Sequence, residues 1–245
     1  MIRWLWLLPL FWNMACAGGA GMRTATEEFR DGIEAYQTGQ FKQAAALFRS
    51  SAAAQPASGA FVNLGMAEWR RGRTGAAILA WEQALWVDTF DERARNNLRF
   101  ARETAGLDGP RLTWYETAST WLPTNSWAWI TGAGLWLALG LVTMPVVFRW
   151  RKAGWPHVLA ACALGIFLLS LPAHVGVMTR TRIGFVVERK TPLRLTPTED
   201  ADSVATLAAG EPVRLVRVRG EFAFVRTLNG EGWVEREQLG LICPL

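Results

Sequence analysis

Residues 127–148 read WAWITGAGLWLALGLVTMPVVF, and residues 155–178 read WPHVLAACALGIFLLSLPAHVGVM. Neither stretch contains an Asp, Glu, Lys or Arg, and the second has only His157 and His174 near its ends. An α-helix rises about 1.5 Å per residue, so about 20 apolar residues cross the hydrocarbon core of a bilayer. We therefore predict two membrane-spanning helices, 127–148 and 155–178. A pair of buried helices in a soluble protein is the alternative.

The turn between the two predicted helices, residues 149–154, is basic. It carries Arg149, Arg151 and Lys152 and no acidic residue. Short loops rich in Lys and Arg remain on the cytoplasmic side of a membrane. We therefore expect a multi-pass protein of the bacterial inner membrane, with its turn in the cytoplasm and both flanking segments on the extracytoplasmic side.

Each apolar stretch also contains a pair of small residues four positions apart, Gly134 with Ala138 and Ala161 with Gly165. Such pairs let two helix backbones approach closely in lipid. The pattern predicts a tight helical hairpin, and a contact between two copies of the chain is the alternative.

The N-terminal segment has the order of a secretory signal. Arg3 is followed by the apolar run 4–12 and then by a stretch of small residues. This order predicts a signal peptide over residues 1–17, cleaved after Ala17. Lipidation of Cys16 is the alternative.

The net charge of +5 does not mark a nucleic-acid-binding face. Residues 22–107 contain 11 Lys/Arg and 10 Asp/Glu, and residues 179–245 contain 10 and 9. Each flank therefore carries only +1, and the remaining excess lies beside the predicted membrane segments, where basic residues set orientation. We expect no nucleic-acid partner.

The sequence contains no recognisable catalytic motif. It has no P-loop, no H-E-x-x-H and no G-x-S-x-G. His157 and His174 fall in one predicted helix, roughly 25 Å apart along its axis. The three cysteines match no zinc spacing. We predict that the chain is not an enzyme and has no catalytic residue, cofactor or metal site.

The segment from 22 to 105 repeats itself at an offset of 33 residues. Five positions recur with the same or a similar residue: Gly32/Gly65, Tyr36/Trp69, Gly39/Gly72, Ala44/Ala77 and Phe48/Trp81. Such an offset with glycines at the helix ends is typical of helix-turn-helix repeats. We predict two repeats and a closing helix, with capping boxes at Thr24/Glu27 and Thr89/Glu92.

These repeats resemble the tetratricopeptide repeat (TPR) family. That resemblance implies binding of proteins or peptides along the face made by the first helix of each repeat. The corresponding partner-binding residues here are Tyr36, Asn63, Met66, Trp69, Arg70, Arg93 and Asn97. For the apolar positions of this face, which include Ile33 and Val62, an ordinary core role is the alternative.

Residues 106–125 connect the repeats to the first apolar stretch. Gly106, Gly109 and Pro110 indicate a linker, and Trp114 and Trp121 follow in a region with few charges. We expect an interfacial helix lying on the bilayer. A simple loop is the alternative.

After residue 179 the pattern changes to short strands separated by turn residues. The predicted strands are 183–187, 193–195, 212–218, 222–226 and 232–234, with a tight turn at Asn229-Gly230. Five short strands in about sixty residues predict a small β-barrel over 183–245.

This segment resembles a bacterial SH3 (SH3b) domain through Pro192-Leu193-Arg194, Gly210-Glu211-Pro212 and Gly230-Glu231-Gly232-Trp233. The resemblance implies binding of cell-wall peptides or proteins through Phe222, Phe224 and Trp233. Core packing is the alternative for Trp233, since large aromatic side chains are usually buried.

Together these expectations describe a multidomain membrane protein: TPR repeats, a two-helix transmembrane hairpin and a small SH3-like β-barrel. This order resembles the TPR/SH3 component of Bat aerotolerance operons, which implies von Willebrand factor A-type membrane proteins as partners in envelope stress. The expected function is that of a non-catalytic membrane-anchored adaptor. A receptor that senses peptidoglycan through the SH3b domain is the alternative.

Overall fold

The computed structural model of the chain describes residues 19–147, 154–228 and 230–243. The predicted signal peptide with Cys16, nearly all of the basic turn and Asn229 lie outside these ranges. The described residues form eight α-helices and seven β-strands.

The N-terminal part of the described chain is a set of five antiparallel helices, called the helical domain here. Its helices are α1 Gly19–Gln37, α2 Phe41–Ala54, α3 Ser58–Arg70, α4 Thr74–Val87 and α5 Glu92–Ala105. Alanines and large aromatic side chains fill the core between successive helices. The first helices of the repeats lie side by side, because α3 contacts both α1 and α5.

The 33-residue offset is visible in the packing of the helical domain. Gly39 and Gly72 both have φ near +75°, at 78° and 73°, and each ends the first helix of a pair in a conformation that favours glycine. About two turns earlier, Gly65 lies against the indole of Trp81, just as Gly32 lies against the ring of Phe48. The glycines leave room for the aromatic rings of the second helices.

We expect Gly65→Ala to lower the melting temperature of the full chain. A methyl group at Gly65 would overlap the Trp81 indole, whose Nε1 is held by a 3.2 Å hydrogen bond to the Val62 carbonyl. Overpacking costs about 1–3 kcal/mol, which lowers Tm by about 2–12 °C. Differential scanning fluorimetry measures this, with Gly59→Ala as the control because nothing lies within 4 Å of its added methyl. Equal melting of the two variants would contradict the predicted packing.

The two predicted apolar helices are present as α7 Thr124–Val147 and α8 Trp155–Arg180, and both are long and apolar enough to cross a membrane. They pack against each other as an antiparallel pair. Large apolar side chains point away from this contact: Trp136 is 74% exposed and Leu169 is 81% exposed. Water is an unfavourable surrounding for so much contiguous apolar surface.

The contact between α7 and α8 uses one of the two small-residue pairs identified in the sequence. Ala138 is buried, and Gly134 lies close to the Ala163 carbonyl. Thr131 and Ser170 add a hydrogen bond of 2.9 Å between the helices. Gly165 has nothing near it, so the second pair does not contribute to the hairpin.

The predicted interfacial helix is much shorter than expected. Between the end of α5 and the start of α7 at Thr124, the chain forms one short helix, α6 Trp114–Ser119, which packs against the end of α8. Trp114 and Trp121 are exposed, whereas Glu116 and Ser119 are fully buried. The polar side of this short helix therefore faces the protein interior.

The C-terminal part of the described chain, the β domain, is one antiparallel sheet in the order β3-β2-β6-β5-β4-β1-β7. Its strands are β1 Ile183–Val186, β2 Thr191–Arg194, β3 Ser203–Leu207, β4 Pro212–Arg219, β5 Phe222–Arg226, β6 Glu231–Glu235 and β7 Leu239–Leu241. The five predicted strands are present, and β3 and β7 were missed. The predicted closed barrel is wrong, because β3 and β7 end the sheet without pairing with each other.

The β domain packs directly on the helical domain through α4. Strand β1 is buried on both sides: Val186 faces the β-domain core, whereas Ile183 and Phe185 join a cluster with Ala77 and Ile78 of α4. The side chain of Gln83 donates to the Leu241 carbonyl at 3.0 Å. The two domains therefore share a hydrophobic core.

Candidate functional site

The exposed side of α1, α3 and α5 is the first candidate site, called the first-helix surface here. It presents apolar side chains to solvent: Ile33 is 36% exposed, Met66 37% and Phe100 58%. Polar and basic side chains surround them. The surface comprises Ile33, Tyr36, Asn63, Met66, Trp69, Arg70, Arg93, Asn97 and Phe100. A patch of this composition, apolar with a polar rim, is characteristic of a protein-binding surface.

Aromatic contacts hold part of the first-helix surface in place. The Trp69 ring lies 6.0 Å from Trp81 of α4 and 5.8 Å, edge to face, from Phe100 of α5. Sequence reasoning missed Phe100, although it follows Arg93 and Asn97 at positions i+7 and i+3 on the same helical face. These rings fix α5 beside α3.

The remaining predicted residues of the first-helix surface divide between partial burial and exposure. Tyr36 is half-buried and packs edge to face on Phe41, whose ring also lies 5.9 Å from the Arg70 guanidinium. Asn63 and Asn97 are half-buried. Arg93 is exposed and makes a 3.4 Å ion pair with Asp91, the N-cap of α5. Val62 is buried in the core, which was the alternative to a partner-binding role for the apolar positions of this face.

The second candidate site is the aromatic group on the outer face of the β sheet. Phe224 and Trp233 are cross-strand partners with ring centroids 5.2 Å apart, and Phe222 lies beside them. The predicted alternation is confirmed, because Ala223 and Val225 face the buried side.

Arginines cover this aromatic group. The Arg217 guanidinium lies 5.0 Å from the Phe224 ring and 5.1 Å from the Trp233 ring, and Arg194 lies 6.0 Å from Phe222. Trp233 is only 5% exposed as a result. Cation–π contacts of this kind stabilise the sheet face and leave Phe222 and Phe224 partly accessible.

The structure does not bring the two predicted sites together. The β sheet contacts α4, a second helix of a repeat, through β1 and β7. The first-helix surface lies on other helices and stays uncovered by the β domain. A ligand could therefore bind to the first-helix surface without moving the β domain.

A charged junction that sequence reasoning missed connects α6 with the β domain. Both oxygens of Glu116 accept hydrogen bonds from Arg214 of β4, at 2.7 and 3.0 Å, and Oε2 also accepts from the Thr113 backbone N–H at 2.8 Å. Burial alone raises the pKa of Glu116, but these hydrogen bonds outweigh it and lower the pKa to about 2. The carboxylate is charged at neutral pH.

The end of α8 lies in the same junction. The Arg180 side chain donates to Ser119 Oγ at 3.3 Å and stacks 5.2 Å above the Trp86 ring of α4. Glu82 of α4 pairs with Arg102 of α5 next to it. Burial raises the pKa of Glu82, and Arg102 and Arg180 oppose this effect. These ion pairs and hydrogen bonds lie where the helical domain, α6, the end of α8 and the β domain meet.

No family model matches the chain, and comparisons with curated proteins and with solved structures find no match. The arrangement of side chains is therefore the basis for any functional assignment.

The sequence predicts neither a catalytic residue nor a metal site. Among the described residues, no group of three or more His, Cys, Asp or Glu side chains is placed to hold a metal ion. His157 and His174 lie on α8, separated as the sequence predicts. The absence of catalysis stays a prediction.

Proposed function

We propose that the chain is a non-catalytic adaptor of the bacterial cell envelope, anchored in the inner membrane by α7 and α8. The observation that carries this proposal is the first-helix surface. Its apolar side chains Ile33, Met66 and Phe100 remain exposed beside a closely packed helical core. A protein or peptide that covers this surface would bury these apolar side chains.

The packing of the two domains supports a common location for them. They share a core, and both contact the segment formed by α6 and the end of α8. Two crossings by α7 and α8 return the chain to its starting side. The basic turn with Arg149, Arg151 and Lys152 favours the cytoplasm for the hairpin loop, so both domains belong on the extracytoplasmic side.

The partner class follows from the resemblance to TPR and SH3b domains and to the Bat component. It consists of envelope proteins or peptides, with von Willebrand factor A-type membrane proteins as the first candidates. In this proposal the β domain buttresses α4, and its aromatic group is a secondary surface because Arg217 covers it.

Site-specific photo-cross-linking in cells tests the adaptor proposal. A benzoylphenylalanine at Met66 should give discrete cross-linked products, and Phe100→Glu in the same chain should reduce their yield roughly tenfold, because losing a central aromatic contact commonly costs at least that much affinity. The control position is Val204 of β3, which is exposed but lies in the β domain. Cross-linked products from Val204 alone would contradict the proposal. The peptidoglycan receptor would be favoured if the chain is retained on cell-wall fragments and Phe222→Ala abolishes this retention.

A further inference from the structure

A cleft of about 830 Å³ lies where α4, α5, the linker before α6 and the end of α8 meet. Four arginines line it: Arg95, Arg99, Arg102 and Arg180. Of the three lining carboxylates, Glu103 and Asp108 are exposed, and only Glu82 is buried. Solvent screens the exposed carboxylates, so the inner part of the cleft is positively charged.

The buried and half-buried charges in the junction beside this cleft do not balance. Arg102, Arg180 and Arg214 face Glu82 and Glu116, which leaves one guanidinium in excess (three against two). Glu116 is engaged by both nitrogens of Arg214. Glu82 pairs with Arg102. Arg180, which is only 7% exposed, has a neutral hydroxyl and an indole ring as its close contacts.

Two hydrogen-bond donors in the cleft also lack acceptors. The Nε atoms of Arg102 and Arg180 are buried and have no hydrogen-bond partner among the residues that the structure describes. A buried donor on a cation is costly to leave unsatisfied, and an uncompensated buried charge is more costly still. Both observations indicate an anion with several acceptor oxygens.

The position of the cleft indicates the source of that anion. Arg180 is the last residue of α8, and the exposed apolar residues Val175 and Met178 lie within five positions before it. Leu107 and Leu112 add apolar lining next to the arginines. Basic pockets at the end of a membrane helix, with apolar surface beside them, suit the headgroup of an anionic lipid.

We propose that this cleft binds the phosphate group of an anionic phospholipid at the membrane surface, with Arg102 and Arg180 as the inner donors and Arg95 and Arg99 at the entrance. The proposal rests on the membrane anchoring assigned above but not on the adaptor's partner. A bound lipid would tie the helical domain to the bilayer at a second point beside α8.

Native mass spectrometry of the detergent-solubilised full chain tests this assignment. Titration with phosphatidylglycerol should give a single adduct at concentrations where phosphatidylcholine gives none. The variant Arg95→Gln/Arg99→Gln leaves the buried arginines in place and should weaken binding about fivefold for each charge removed. The control Arg30→Gln/Arg219→Gln removes two exposed arginines outside the cleft and should bind as the wild type does.

Four outcomes would overturn the assignment. Equal binding of both lipids would remove the charge selectivity, and equal loss of binding in the two double variants would remove the site. Displacement of phosphatidylglycerol by inorganic phosphate in large excess would show a phosphate site that does not require lipid. If the chain stays soluble without detergent, both the membrane anchoring and this assignment are wrong. If the chain needs detergent but does not discriminate between the two lipids, only this assignment is wrong, and the anchoring and the adaptor proposal stand.

Discussion

The variant Phe185→Ala is expected to melt about 6–20 °C below the wild-type chain. Phe185 is fully buried between the β domain and α4, in a cluster with Ile78 and Trp81. Truncating a buried phenylalanine costs about 3–5 kcal/mol, and each kcal/mol lowers Tm by about 2–4 °C in a chain of this size. The loss should affect both domains, because the cluster belongs to both.

Hydrogen–deuterium exchange shows whether the two domains loosen together. Peptides from α4 should exchange faster in Phe185→Ala than in wild type, although the substitution lies in β1. The control is Phe90→Ala, a truncation of a 58% exposed side chain that should change stability by less than about 0.5 kcal/mol. Unchanged protection of α4 in Phe185→Ala would mean that the shared core does not couple the domains.

The second large effect is expected for Glu116→Gln. This isosteric change removes the buried carboxylate that Arg214 holds through two hydrogen bonds, and it leaves the half-buried Arg214 guanidinium without its partner. Breaking a buried ion pair by losing one member costs about 3 kcal/mol, equivalent to about 6–12 °C in Tm. The matched control is Glu231→Gln, since Glu231 pairs with Arg226 at an exposed position where the cost stays below about 1 kcal/mol.

The effect of Glu116→Gln should depend on pH. The pKa of Glu116 is lowered from 4.5 to about 2, so the folded state binds a proton less readily than the unfolded state does. The carboxylate therefore contributes its full stability above pH 4.5 and loses it as the pH falls toward 2. Melting curves of wild type and Glu116→Gln should converge across that window. A Tm difference that is constant from neutral pH to pH 2 would contradict the assigned role of the carboxylate.

The parts of the fold that sequence predicted well depend on local patterns. Two uncharged apolar stretches predicted α7 and α8. The repeated glycine and aromatic residues predicted the paired helices, in which Gly65 of one helix packs against Trp81 of the next. Short strands bounded by turn residues predicted five of the seven strands. Each of these signals is contained within about 35 residues of sequence.

Packing between distant segments was not predictable in the same way. Sequence reasoning treated the helical and β domains as separate, whereas α4 lies between them. A signal was present: α4 is apolar around nearly its whole circumference, which one neighbouring helix cannot cover. The open sheet was missed because β7 pairs with β1, which lies 53 to 57 positions earlier in the chain, and not with a strand next to it in sequence.

The helix caps show how tertiary contacts decide between similar local signals. The predicted capping boxes at Thr24 and Thr89 are wrong, because α1 begins at Gly19 and Asp91 caps α5. The spacing that does form a capping box is Thr113 with Glu116. Its Glu116 is fixed further by Arg214, 98 residues away, and no local pattern specifies that partner.

Membrane topology tests the central claim most directly, because an envelope adaptor requires both domains on the extracytoplasmic side. Alkaline phosphatase is fused in separate strains after Gly109, after Lys152 and after residue 245, and its activity reports export of each fusion point. We predict activity after Gly109 and after residue 245, and silence after Lys152. Activity only in the Lys152 fusion would place both domains in the cytoplasm and contradict the account.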